Sequence, residues 1–501
     1  MAGNDNGREI SRRQFTATLG AVAGLTAGAN LLTPAEVSAA PHINPRIIGA
    51  NDRVVVANIG VRGQGNSLKR GFAKLENVEI KTICDIDENV GRMRIADAQL
   101  TEQVATFKPG YEQDLRKLYE DKDVDAVLVA IPNHWHALAT IWGLQAGKHV
   151  YVEKPASHTV VEGRRMVQAT ARYKKIVQVG TMNRSRPAVI KAIDFIKGGG
   201  IGKVYMARGL CFKPRPGIGK YPDGLMQPGE QYKLNEATST IEPAYDAAYM
   251  AKVNYDIWLG PAPKREFNRN RFHYNWHWHW DYGNGDTGNQ GPHQFDIARW
   301  GLGKQEHPTK IKSVGGYFGP PASQETPDLQ TTTYEYADGI IMEFATRGQA
   351  TNAEGPVEIG NIFYGTEGYL WIDADGRQWQ SFLGRKAEKG PGADAATAGS
   401  TGSDPRVLTS IEYPHYQNFI DAIRADDPKL LTCNVLEGHL SSTLPHLANI
   451  SYRVGRALTF DGKNETIVGD KEASALLTRT YRKGFELPVI GNGPGTSNND
   501  E

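Results

Sequence analysis

Alternating apolar and polar segments between residues 125 and 155 predict a strand, a helix and a second strand in close succession. The continuous apolar run Ala126–Ile131 is typical of a strand buried on both faces, and Pro132 ends it. The helix that follows runs to about Ala146, and Gly147 provides a C-terminal stop. The second strand covers His149–Val152. Elements this close together form a right-handed crossover, so the segment predicts a parallel α/β sheet.

The same pattern extends to both sides of this segment. A β-branched strand, Arg53–Ile59, leads into a glycine-rich turn, Gly60–Gly65, and a helix to about Leu75. The further predicted elements are a strand at Glu79–Cys84, a helix to about Ala98, a strand near Val104–Phe107, a helix near Glu112–Tyr119, a helix at Val160–Tyr173 and a strand at Ile176–Gly180. Six strands that alternate with helices predict a Rossmann-type domain, which we assign to residues 53–185.

Beyond residue 186 the strands follow one another with spacings typical of hairpins. We expect strands at Val204–Phe212, Lys310–Phe318, Thr331–Tyr336, Ile340–Ala345, Val357–Tyr364 and Gly368–Asp373. We expect a long loop at 213–250, a mobile Gly/Ala/Ser-rich loop at Lys389–Pro405 and a disordered tail at 491–501. Helices are expected at Ala188–Lys197, Tyr416–Ala425 and Leu436–Leu458, the last two packed on the second sheet. Residues 186–490 are therefore predicted to form a second α/β domain with a mainly antiparallel, open sheet.

The first forty residues have the pattern of a targeting segment. Ser11–Thr16 contains two adjacent arginines in a twin-arginine pattern, and an apolar run from Ala17 to Leu32 follows it. That run is too short and too weakly apolar for a stable membrane span, and small residues near Ala39 and Ala40 suit cleavage. We expect a twin-arginine signal at 1–40, an arm at 41–52, and export to the periplasm or beyond. The alternative is a disordered basic tail.

The composition and the net charge limit the classes of protein to which this chain can belong. Of the 501 residues, 40% are hydrophobic and 23% are charged, which is ordinary for a chain of two or more domains. The net charge is +1 and the sequence has no basic patch, so we do not expect nucleic acid as a partner. The three cysteines, Cys84, Cys211 and Cys433, lack metal-ligand spacing and offer no disulfide framework.

Polar side chains follow the ends of the two strands described first. Asn133, His134 and His136 come after the first strand, and Glu153 and Lys154 come after the second. Neighbouring parallel strands end at the same edge of a sheet, where such sheets bind ligands. A solvated loop is the alternative for each residue, although the proline after Lys154 fixes the backbone there. We predict a cofactor site formed by Pro132, Asn133, His136, Glu153 and Lys154.

The glycine turn suits the binding of a pyrophosphate. It lies between a strand and a helix, and Gly60, Gly63 and Gly65 allow the backbone to approach a phosphate at the helix N-terminus. Arg62 stands where the strict G-x-G-x-x-G pattern has glycine, and it is expected to add positive charge against the phosphate. All four residues are therefore assigned to the cofactor.

An acidic residue marks the end of the strand after this turn. Asp85 lies 25 positions after Gly60 (85 − 60). A carboxylate at this position accepts hydrogen bonds from a ribose and repels a 2′-phosphate, so we predict NAD rather than NADP. A helix-capping role is the alternative for Asp85, and Asp87 is a further candidate cap.

A second informative stretch, residues 276–300, is dense in Trp, His, Gly and Asp. His293, Asp296 and Trp300 share one face of a predicted helix, with His293 in its first turn. Alternating tryptophans suit an extended segment that lines a sugar-binding surface or packs a domain junction: Trp276, Trp278 and Trp280. His277 and His279 also alternate, but no convergent carboxylate or cysteine set accompanies them, so we predict no metal site.

Three blocks of this sequence resemble the Gfo/Idh/MocA oxidoreductase family. They are the Gly60–Gly65 turn with Cys84-Asp85, the segment from Asn133 to Pro155 that ends in AGKHVYVEKP, and Gly291–Asp296. The resemblance covers about residues 53–482 and is nearest to exported members of the glucose–fructose oxidoreductase type. It implies a two-domain fold and hydride transfer between a tightly bound nicotinamide cofactor and a sugar or polyol carbon.

The resemblance also implies roles for individual residues. Lys154 matches the lysine of the family's EKP motif, which is placed at the substrate hydroxyl beside the nicotinamide. His293 matches the usual proton acceptor or donor, and Asn289 stands where the family motif has aspartate. An amide can bond a sugar hydroxyl but carries no charge to orient a protonated histidine. We predict that Lys154, Asn289 and His293 are catalytic and that they bind substrate together with Asp296 and Trp280.

Three functions remain open from the sequence. The first is an NAD-dependent sugar or polyol oxidoreductase, and the second is a redox-neutral glycoside hydrolase in which NAD is a transient oxidant. The third is a non-catalytic sugar-binding protein, against which the presence of both Lys154 and His293 argues. The family resemblance also implies a homo-oligomer, a dimer or tetramer, formed through the open sheet.

Overall fold

The computed structural model describes residues 53–96, 109–233, 241–349, 357–374, 376–393 and 413–490. The expected twin-arginine signal, the arm, the strand near Val104–Phe107 and the tail from residue 491 lie outside these residues. Among the helices that are described, none combines the length and the hydropathy needed to span a bilayer.

The amino-terminal part of the described chain forms a six-stranded sheet in which all strands run parallel. Its strands are β1 Val54–Ile59, β2 Val78–Cys84, β3 Gly110–Glu112, β4 Ala126–Val129, β5 His149–Val152 and β6 Val177–Val179. Their order is β3-β2-β1-β4-β5-β6. Every residue of β1, β4 and β5 is buried, as continuous apolar runs predict. This confirms the predicted Rossmann-type sheet, whose strand order reverses between β1 and β4.

Helices cover both faces of this sheet. They are α1 Gln64–Phe72, α2 Glu88–Ile95, α3 Leu115–Leu118, α4 Asn133–Gln145 and α5 Val160–Tyr173. Thr159 and Glu162 form a reciprocal capping box that starts α5, and Gly147, with φ +78°, follows the end of α4. Both α1 and α3 are shorter than the pattern of apolar residues predicts.

A ten-stranded sheet forms the core of the carboxy-terminal part of the described chain. The strands of this part are β7 Val204–Cys211, β8 Tyr232–Lys233, β9 Ile241–Glu242, β10 Lys310–Gly316, β11 Leu329–Glu335, β12 Ile341–Arg347, β13 Ile359–Gly365, β14 Gly368–Asp373, β15 Trp379–Leu383, β16 Glu388–Ala393, β17 Leu458–Asp461 and β18 Thr466–Ile467. Ten of them form the sheet, and β8 and β9 form a separate two-stranded hairpin. The order is β16-β15-β14-β13-β7-β12-β11-β10-β17-β18. Only β7 and β12 pair in parallel in this described sheet, which confirms the predicted, mainly antiparallel arrangement.

The prediction of a loop from residue 389 is wrong at its start. Residues 388–393 form the edge strand β16, which pairs with β15. An edge strand tolerates Gly390 and Pro391 because one side of its backbone needs no partner strand. The rest of the expected loop, residues 394–405, lies outside the described residues.

Helices pack on one face of the second sheet and connect it to the first. The helices of this part are α6 Pro187–Lys197, α7 Ala247–Met250, α8 Tyr255–Leu259, α9 Gly285–Asn289, α10 Gly291–Leu302, α11 Tyr413–Ala425, α12 Val435–Val454 and α13 Lys471–Ala475. Ile193 of α6, Phe295 of α10 and Leu447 of α12 share one buried cluster with strand residues of this sheet. Burial of these apolar faces fixes α10, and so the residues at its first turn.

The prediction that α11 packs on the second sheet is wrong. Its apolar face lies instead on the first sheet, where the Tyr416 ring stacks on Phe72 at 4.8 Å and meets Tyr151 edge-on at 5.8 Å. Gly71 makes this approach possible, because a Cβ at that position would lie 2.4 Å from the Tyr416 ring. The sequence shows the apolar face of a helix but not which sheet it covers.

Candidate active site

A cleft of about 850 Å³ opens at the carboxyl-terminal edge of the parallel sheet. Ligand sites commonly have volumes of about 300–1,000 Å³, so this cleft is a large one. The predicted site residues that line it are Gly60, Arg62, Gly63, Asp85, Pro132, Asn133, His136, Glu153, Lys154, Asn289 and His293. Gly65, Asp296 and Trp280 do not line it. Parallel sheets bind ligands where the strand order reverses, and this cleft lies there.

The glycine turn leaves space that side chains would fill. A Cβ on Gly60, which has φ +79°, would lie 2.3 Å from the Ala130 carbonyl oxygen. A Cβ on Gly65 would lie 1.9 Å from the Gly60 oxygen, so Gly65 allows the turn and the helix to pack closely rather than facing the cleft. Gly63, with φ +47°, faces open space. The turn thus requires glycine for its backbone shape and exposes that backbone to a ligand.

The helix that follows this turn presents its N-terminus toward the cleft. Within the described chain no side chain caps α1, and its first turn contains no acidic residue. The first N–H groups of a helix and its dipole favour an anion at this end. The turn and the helix therefore fit the pyrophosphate of a dinucleotide.

Asp85 lies on the wall of the cleft at the end of β2. Its carboxylate accepts hydrogen bonds from the backbone N–H groups of Val61 at 2.9 Å and of Asp87 at 3.0 Å. Burial raises the pKa of Asp85 to about 6, although these two bonds favour the charged form. Asp87, and not Asp85, caps α2. The carboxylate of Asp85 is therefore held in place at the cleft.

The charge of Arg62 is paired within the protein. Its guanidinium pairs with Glu242, a residue of the β8–β9 hairpin, and lies 3.5 Å from the hydroxyl of Tyr245. Burial opposes the charged form of Arg62, but Tyr245 and Glu242 beside it raise its pKa overall. Arg62 lines the cleft as predicted, yet its charge is neutralised by Glu242.

The residues after β4 differ in what they offer a ligand. His136 lines the cleft, but its ring nitrogens lie 2.7 Å from the carbonyl oxygens of Pro155 and Ile131, so the ring lies between two strand ends and its single N–H in the neutral form donates to one of them. Burial lowers the pKa of His136 to about 4. Asn133 donates to the Asn284 side chain at 3.0 Å, and His134, which bonds the Trp258 oxygen at 3.0 Å, does not line the cleft.

Lys154 and Asn289 meet across the two domains. The ammonium of Lys154 donates to the backbone oxygen of Asn289 at 2.8 Å and to its side-chain oxygen at 3.2 Å. Burial lowers the pKa of Lys154, and the charges of Arg215 and Lys213 lower it further while Glu153 opposes them. An ammonium has three N–H donors, so one remains for a ligand.

His293 is the third residue of α10 and lines the same cleft. Its Nδ1 is buried and has no hydrogen-bond partner among the described residues. Burial lowers the pKa of His293 well below 6.5, and the charges of Lys154 and Arg186 act in the same direction. The imidazole is therefore neutral near pH 7, and the residue faces the cleft although its Nδ1 is buried.

The prediction that Asp296 binds substrate is wrong. Its side chain is fully buried, accepts from Arg184 at 2.8 Å and from Ser441 at 2.8 Å, and does not line the cleft. The helical spacing puts Asp296 on the same face of α10 as His293, but the side chains that bond Asp296 lie on other elements. Asp296 joins α10 to the 3₁₀ turn at Met182–Ser185 and to α12.

The alternating tryptophans do not form an extended sugar-binding surface. Residues 275–278 form a 3₁₀ turn, so successive side chains point in different directions. Trp276 lines the cleft and stacks on His277 with ring centroids 3.6 Å apart. Trp278 is buried, and Trp280 lies beneath the guanidinium of Arg453 and outside the residues that line the cleft, so its substrate contact stays a prediction.

Several lining residues were not identified from the sequence. They are Met182, Asn183, Arg186, Lys213, Tyr274 and Gln290. Gln290 adjoins Asn289 in the family motif, so its position was available as a signal. Lys213 and Arg186 lie outside any recognisable motif and enter the cleft only through the packing of the second domain.

Histidines near the cleft are engaged by backbone oxygens. Nδ1 of His277 lies 2.6 Å from the Tyr274 oxygen, and Nε2 of His279 lies 3.1 Å from the Asn270 oxygen.

One described group has the donor types of a metal site: His307, His439 and Glu465. These three do not line the cleft, and Glu465 also accepts from Arg164 at 2.9 Å.

Curated relatives match only part of the chain. A glycosyl hydrolase family 109 protein from Shewanella pealeana is 32% identical over 175 residues, which are 33% of this chain and 38% of that protein. Another, from Shewanella sp. strain W3-18-1, is 32% identical over 204 residues, which are 39% of this chain and 44% of that protein. The chain thus spans less than half the length of these relatives.

Solved structures share the fold at low sequence identity. Levoglucosan dehydrogenase in complex with NADH and levoglucosan has a TM-score of 0.57 and 18% identity, over 81% of this chain and 99% of that chain. An aldose–aldose oxidoreductase from Caulobacter crescentus, complexed with glycerol, has a TM-score of 0.56 and 16% identity, over 81% and 100%.

Family models identify both domains. The model of the oxidoreductase family's NAD-binding Rossmann fold matches residues 55–181. The model of that family's C-terminal alpha/beta domain matches residues 237–368 and 407–487, so the two together cover more than half of the chain. This chain belongs to the Gfo/Idh/MocA oxidoreductase family, and NAD is the cofactor of its Rossmann domain.

Proposed function

We propose that this protein is an NAD-dependent enzyme that transfers a hydride to or from a carbon of a sugar or polyol. One observation carries the proposal: Lys154 and His293 open into the same cleft as the glycine turn and Asp85. A proton-transfer pair thereby lies beside a dinucleotide site. When bound, NAD supplies the hydride acceptor or donor.

The two side chains divide the proton chemistry of an alcohol. Lys154, held by two bonds to Asn289, directs its remaining N–H to the substrate oxygen and stabilises negative charge that develops there. Neutral His293, which lines the cleft, accepts the hydroxyl proton at its imidazole, or returns it in the opposite direction. Each such group typically contributes about 10²–10⁴-fold to the rate.

The residues that line the cleft have the chemical groups that suit a sugar substrate. Asn183, Asn289 and Gln290 provide amide groups for hydroxyls, and Tyr274 and Trp276 provide ring faces for the C–H surface of a sugar. The solved structures with this fold include a levoglucosan dehydrogenase and an aldose–aldose oxidoreductase. The Asp85 carboxylate supports NAD over NADP because it repels a 2′-phosphate.

A first experiment identifies the cofactor and tests the two side chains. We expect protein purified natively and then denatured to release NAD(H), identified by absorbance and mass. Lys154→Met and His293→Ala should each lower kcat by about 10²-fold or more while NAD stays bound. Lys191→Met, at an exposed position of α6, is the matched control. Near-normal turnover in both site variants would refute the assignment of roles.

A second candidate is glycoside cleavage without net redox change. In that reaction one carbon is oxidised, the neighbouring C–H loses a proton, the glycosidic bond is eliminated, and hydride returns after water adds. The similarity to glycosyl hydrolase family 109 proteins favours it, and so does the neutral Asn289. Release of nitrophenol from a nitrophenyl glycoside without net NADH would support this candidate. Stoichiometric NADH from a free sugar would support the first.

Cellular location and assembly also belong to the proposal. The twin-arginine pattern at Ser11–Thr16 supports export of a protein that folds and takes up its cofactor beforehand. The open second sheet supports a homodimer or homotetramer. Fractionation of cells and gel filtration of the holoprotein test these two expectations separately.

A further inference from the structure

The two alternating histidines of the tryptophan-rich stretch differ in where their rings lie. His279 is buried, does not line the cleft, and has the Asn270 oxygen 3.1 Å from its Nε2. His277 is partly exposed and lines the cleft together with Lys154 and His293. Of this pair, only His277 can therefore contact a ligand in the cleft.

One ring nitrogen of His277 is fixed as a donor. Its Nδ1 lies 2.6 Å from the backbone oxygen of Tyr274, and a carbonyl oxygen can only accept, so Nδ1 carries a proton. Burial lowers the pKa of His277 to about 3, and the charges of Lys154 and Arg215 lower it further while the bond to Tyr274 opposes them. The ring is therefore neutral near pH 7 and has a single N–H, so its Nε2 is an acceptor without a proton.

This acceptor has no partner within the described part of the chain. The bond from Nδ1 to Tyr274 is the one hydrogen bond that the ring of His277 makes there. Nε2 is accessible, unlike the buried Nδ1 of His293. An accessible lone pair in a cleft suits an O–H or N–H group of a ligand.

The direction of this lone pair is fixed by the packing of the ring. The imidazole of His277 lies flat against Trp276, with ring centroids 3.6 Å apart, and Tyr274 tilts against it at 4.7 Å. Its backbone lies against Gly283, where a Cβ would be 2.6 Å from the Cα of His277. Ring and backbone are thus held before a ligand binds, which lowers the entropic cost of a contact to Nε2.

Arg215 links the turn that carries His277 to the helix that carries Asn289. Its guanidinium lies 3.5 Å from the Tyr274 hydroxyl and pairs with Asp286 at 2.6 Å. Asp286 belongs to α9, which ends at Asn289. The turn and this helix therefore meet at one end of the cleft, where the ammonium that Asn289 holds also lies.

We propose that Nε2 of His277 accepts a hydrogen bond from a second hydroxyl of the substrate while the reacting hydroxyl lies against Lys154 and His293. This inference rests on the proposed function, because it adds a specificity-determining residue to the same site. It limits the substrate to a sugar or polyol with a free hydroxyl at that place. A deoxy sugar leaves Nε2 without a partner, and an O-methyl sugar has no proton to donate there.

Monodeoxy sugars test this contact in the natural protein. The parent sugar is the one of glucose, galactose, mannose and xylose that the NAD-loaded protein binds most tightly in calorimetry. Each of its monodeoxy forms is then measured in the same way, and NADH formation is followed with each. We expect the loss of the hydroxyl that bonds His277 to weaken binding about tenfold.

Two substitutions locate the effect at Nε2. In His277→Gln the amide reaches the place of Nε2, and in His277→Asn it reaches the place of Nδ1, next to the Tyr274 oxygen. We expect His277→Gln to keep the preference for the hydroxyl, and His277→Asn to bind the parent sugar and that deoxy sugar equally. Losses at the other deoxy positions should be the same in all three proteins. The ratio of parent to deoxy affinity is taken within each protein, so a general weakening of the site cancels.

A spectroscopic measurement tests the acceptor directly. The ¹⁵N spectrum of histidine-labelled protein shows which ring nitrogen carries the proton, and the signals missing from His277→Gln are those of His277. We expect Nδ1 protonated and Nε2 unprotonated, with the Nε2 signal shifted when the parent sugar binds. A protonated Nε2, or an Nε2 signal that the sugar does not shift, would overturn the inference.

The affinity outcomes separate this inference from the proposed function. Equal ratios of parent to deoxy affinity in the natural protein and in His277→Asn at every position overturn it, and so does the absence of binding by all four sugars. A ratio that depends on His277 without NADH formation supports the inference and contradicts the oxidoreductase. NADH formation with unchanged ratios supports the oxidoreductase and overturns the inference.

Discussion

Replacement of Asn289 by aspartate tests how Lys154 is tuned. Asn289 stands where the family motif has aspartate, and its side-chain oxygen lies 3.2 Å from the Lys154 ammonium. The substitution Asn289→Asp keeps the size and the accepting oxygen but adds a negative charge. Lys154 would then face a carboxylate in place of an amide, while its bond to the backbone oxygen of residue 289 remains.

The size of the effect follows from the distance. Two unit charges 3.2 Å apart attract by about 5 kcal/mol at an effective dielectric constant of about 20. Water in the cleft screens this attraction, which falls to about 1.3 kcal/mol at a dielectric constant of about 80. A net stabilisation of the ammonium by about 1–2 kcal/mol corresponds to a rise of about one unit in the pKa of Lys154.

The pH dependence of kcat/KM for alcohol oxidation reports this change. Activity should rise through the pKa of His293, which lies below 6.5, because the base must be neutral. Activity should fall through the pKa of Lys154, which lies below 10.5, because the ammonium must stay charged. Asn289→Asp should move the alkaline limb to higher pH by about one unit and leave the acid limb nearly in place.

A matched variant separates charge from shape. Asn289→Ala removes the side-chain bond without adding charge, so its alkaline limb should not move to higher pH. If the alkaline limb is the same in the natural protein and in Asn289→Asp, Lys154 is not the group that titrates there. The assigned role of Lys154 as the charged partner of the substrate oxygen would then be wrong.

Three further changes test other parts of the site. Asp296→Asn breaks the buried pair with Arg184, so urea titrations should show a free energy of unfolding that is lower by about 3 kcal/mol, and the KM for sugar should not change. A raised KM at normal stability would restore the substrate role of Asp296. Gly60→Ala places a methyl group against the Ala130 oxygen and should abolish NAD binding in calorimetry, whereas normal binding would place the cofactor elsewhere. Burial raises the pKa of Asp85 to about 6, so NAD affinity should fall below that pH as the carboxylate is protonated. Asp85→Ser should lose this pH dependence and accept NADP more readily, and an unchanged NAD/NADP ratio would contradict the ribose contact.

The bounds of several elements in the first domain were predicted from the sequence, because short local patterns specify them. The strand His149–Val152 and the helix Val160–Tyr173 have the predicted bounds. A continuous apolar run and a capping box each lie within a few residues, so the sequence alone specifies them. Lys154 could be placed at a sheet edge for the same reason, since its position follows directly from the end of β5.

Features that depend on distant residues could not be predicted. The pairing of Arg62 with Glu242 joins residues 180 positions apart, and nothing near either residue signals it. The packing of α11 on the first sheet depends on the shape left by Gly71. The tryptophans at 276 and 278 alternate as strand residues do, but both lie in one 3₁₀ turn, because alternation alone does not exclude a tight turn.

The amide at position 289 affects the charge around the substrate hydroxyl. A hydroxyl that loses its proton becomes negative, and a neighbouring aspartate would oppose that change, whereas the Asn289 amide does not. Burial lowers the pKa of Lys154, the charges of Arg215 and Lys213 lower it further while Glu153 opposes them, and the Lys154 ammonium stabilises the developing alkoxide. At pH values where Lys154 is charged in both proteins, Asn289→Asp should therefore lower kcat for alcohol oxidation, although it extends activity to higher pH.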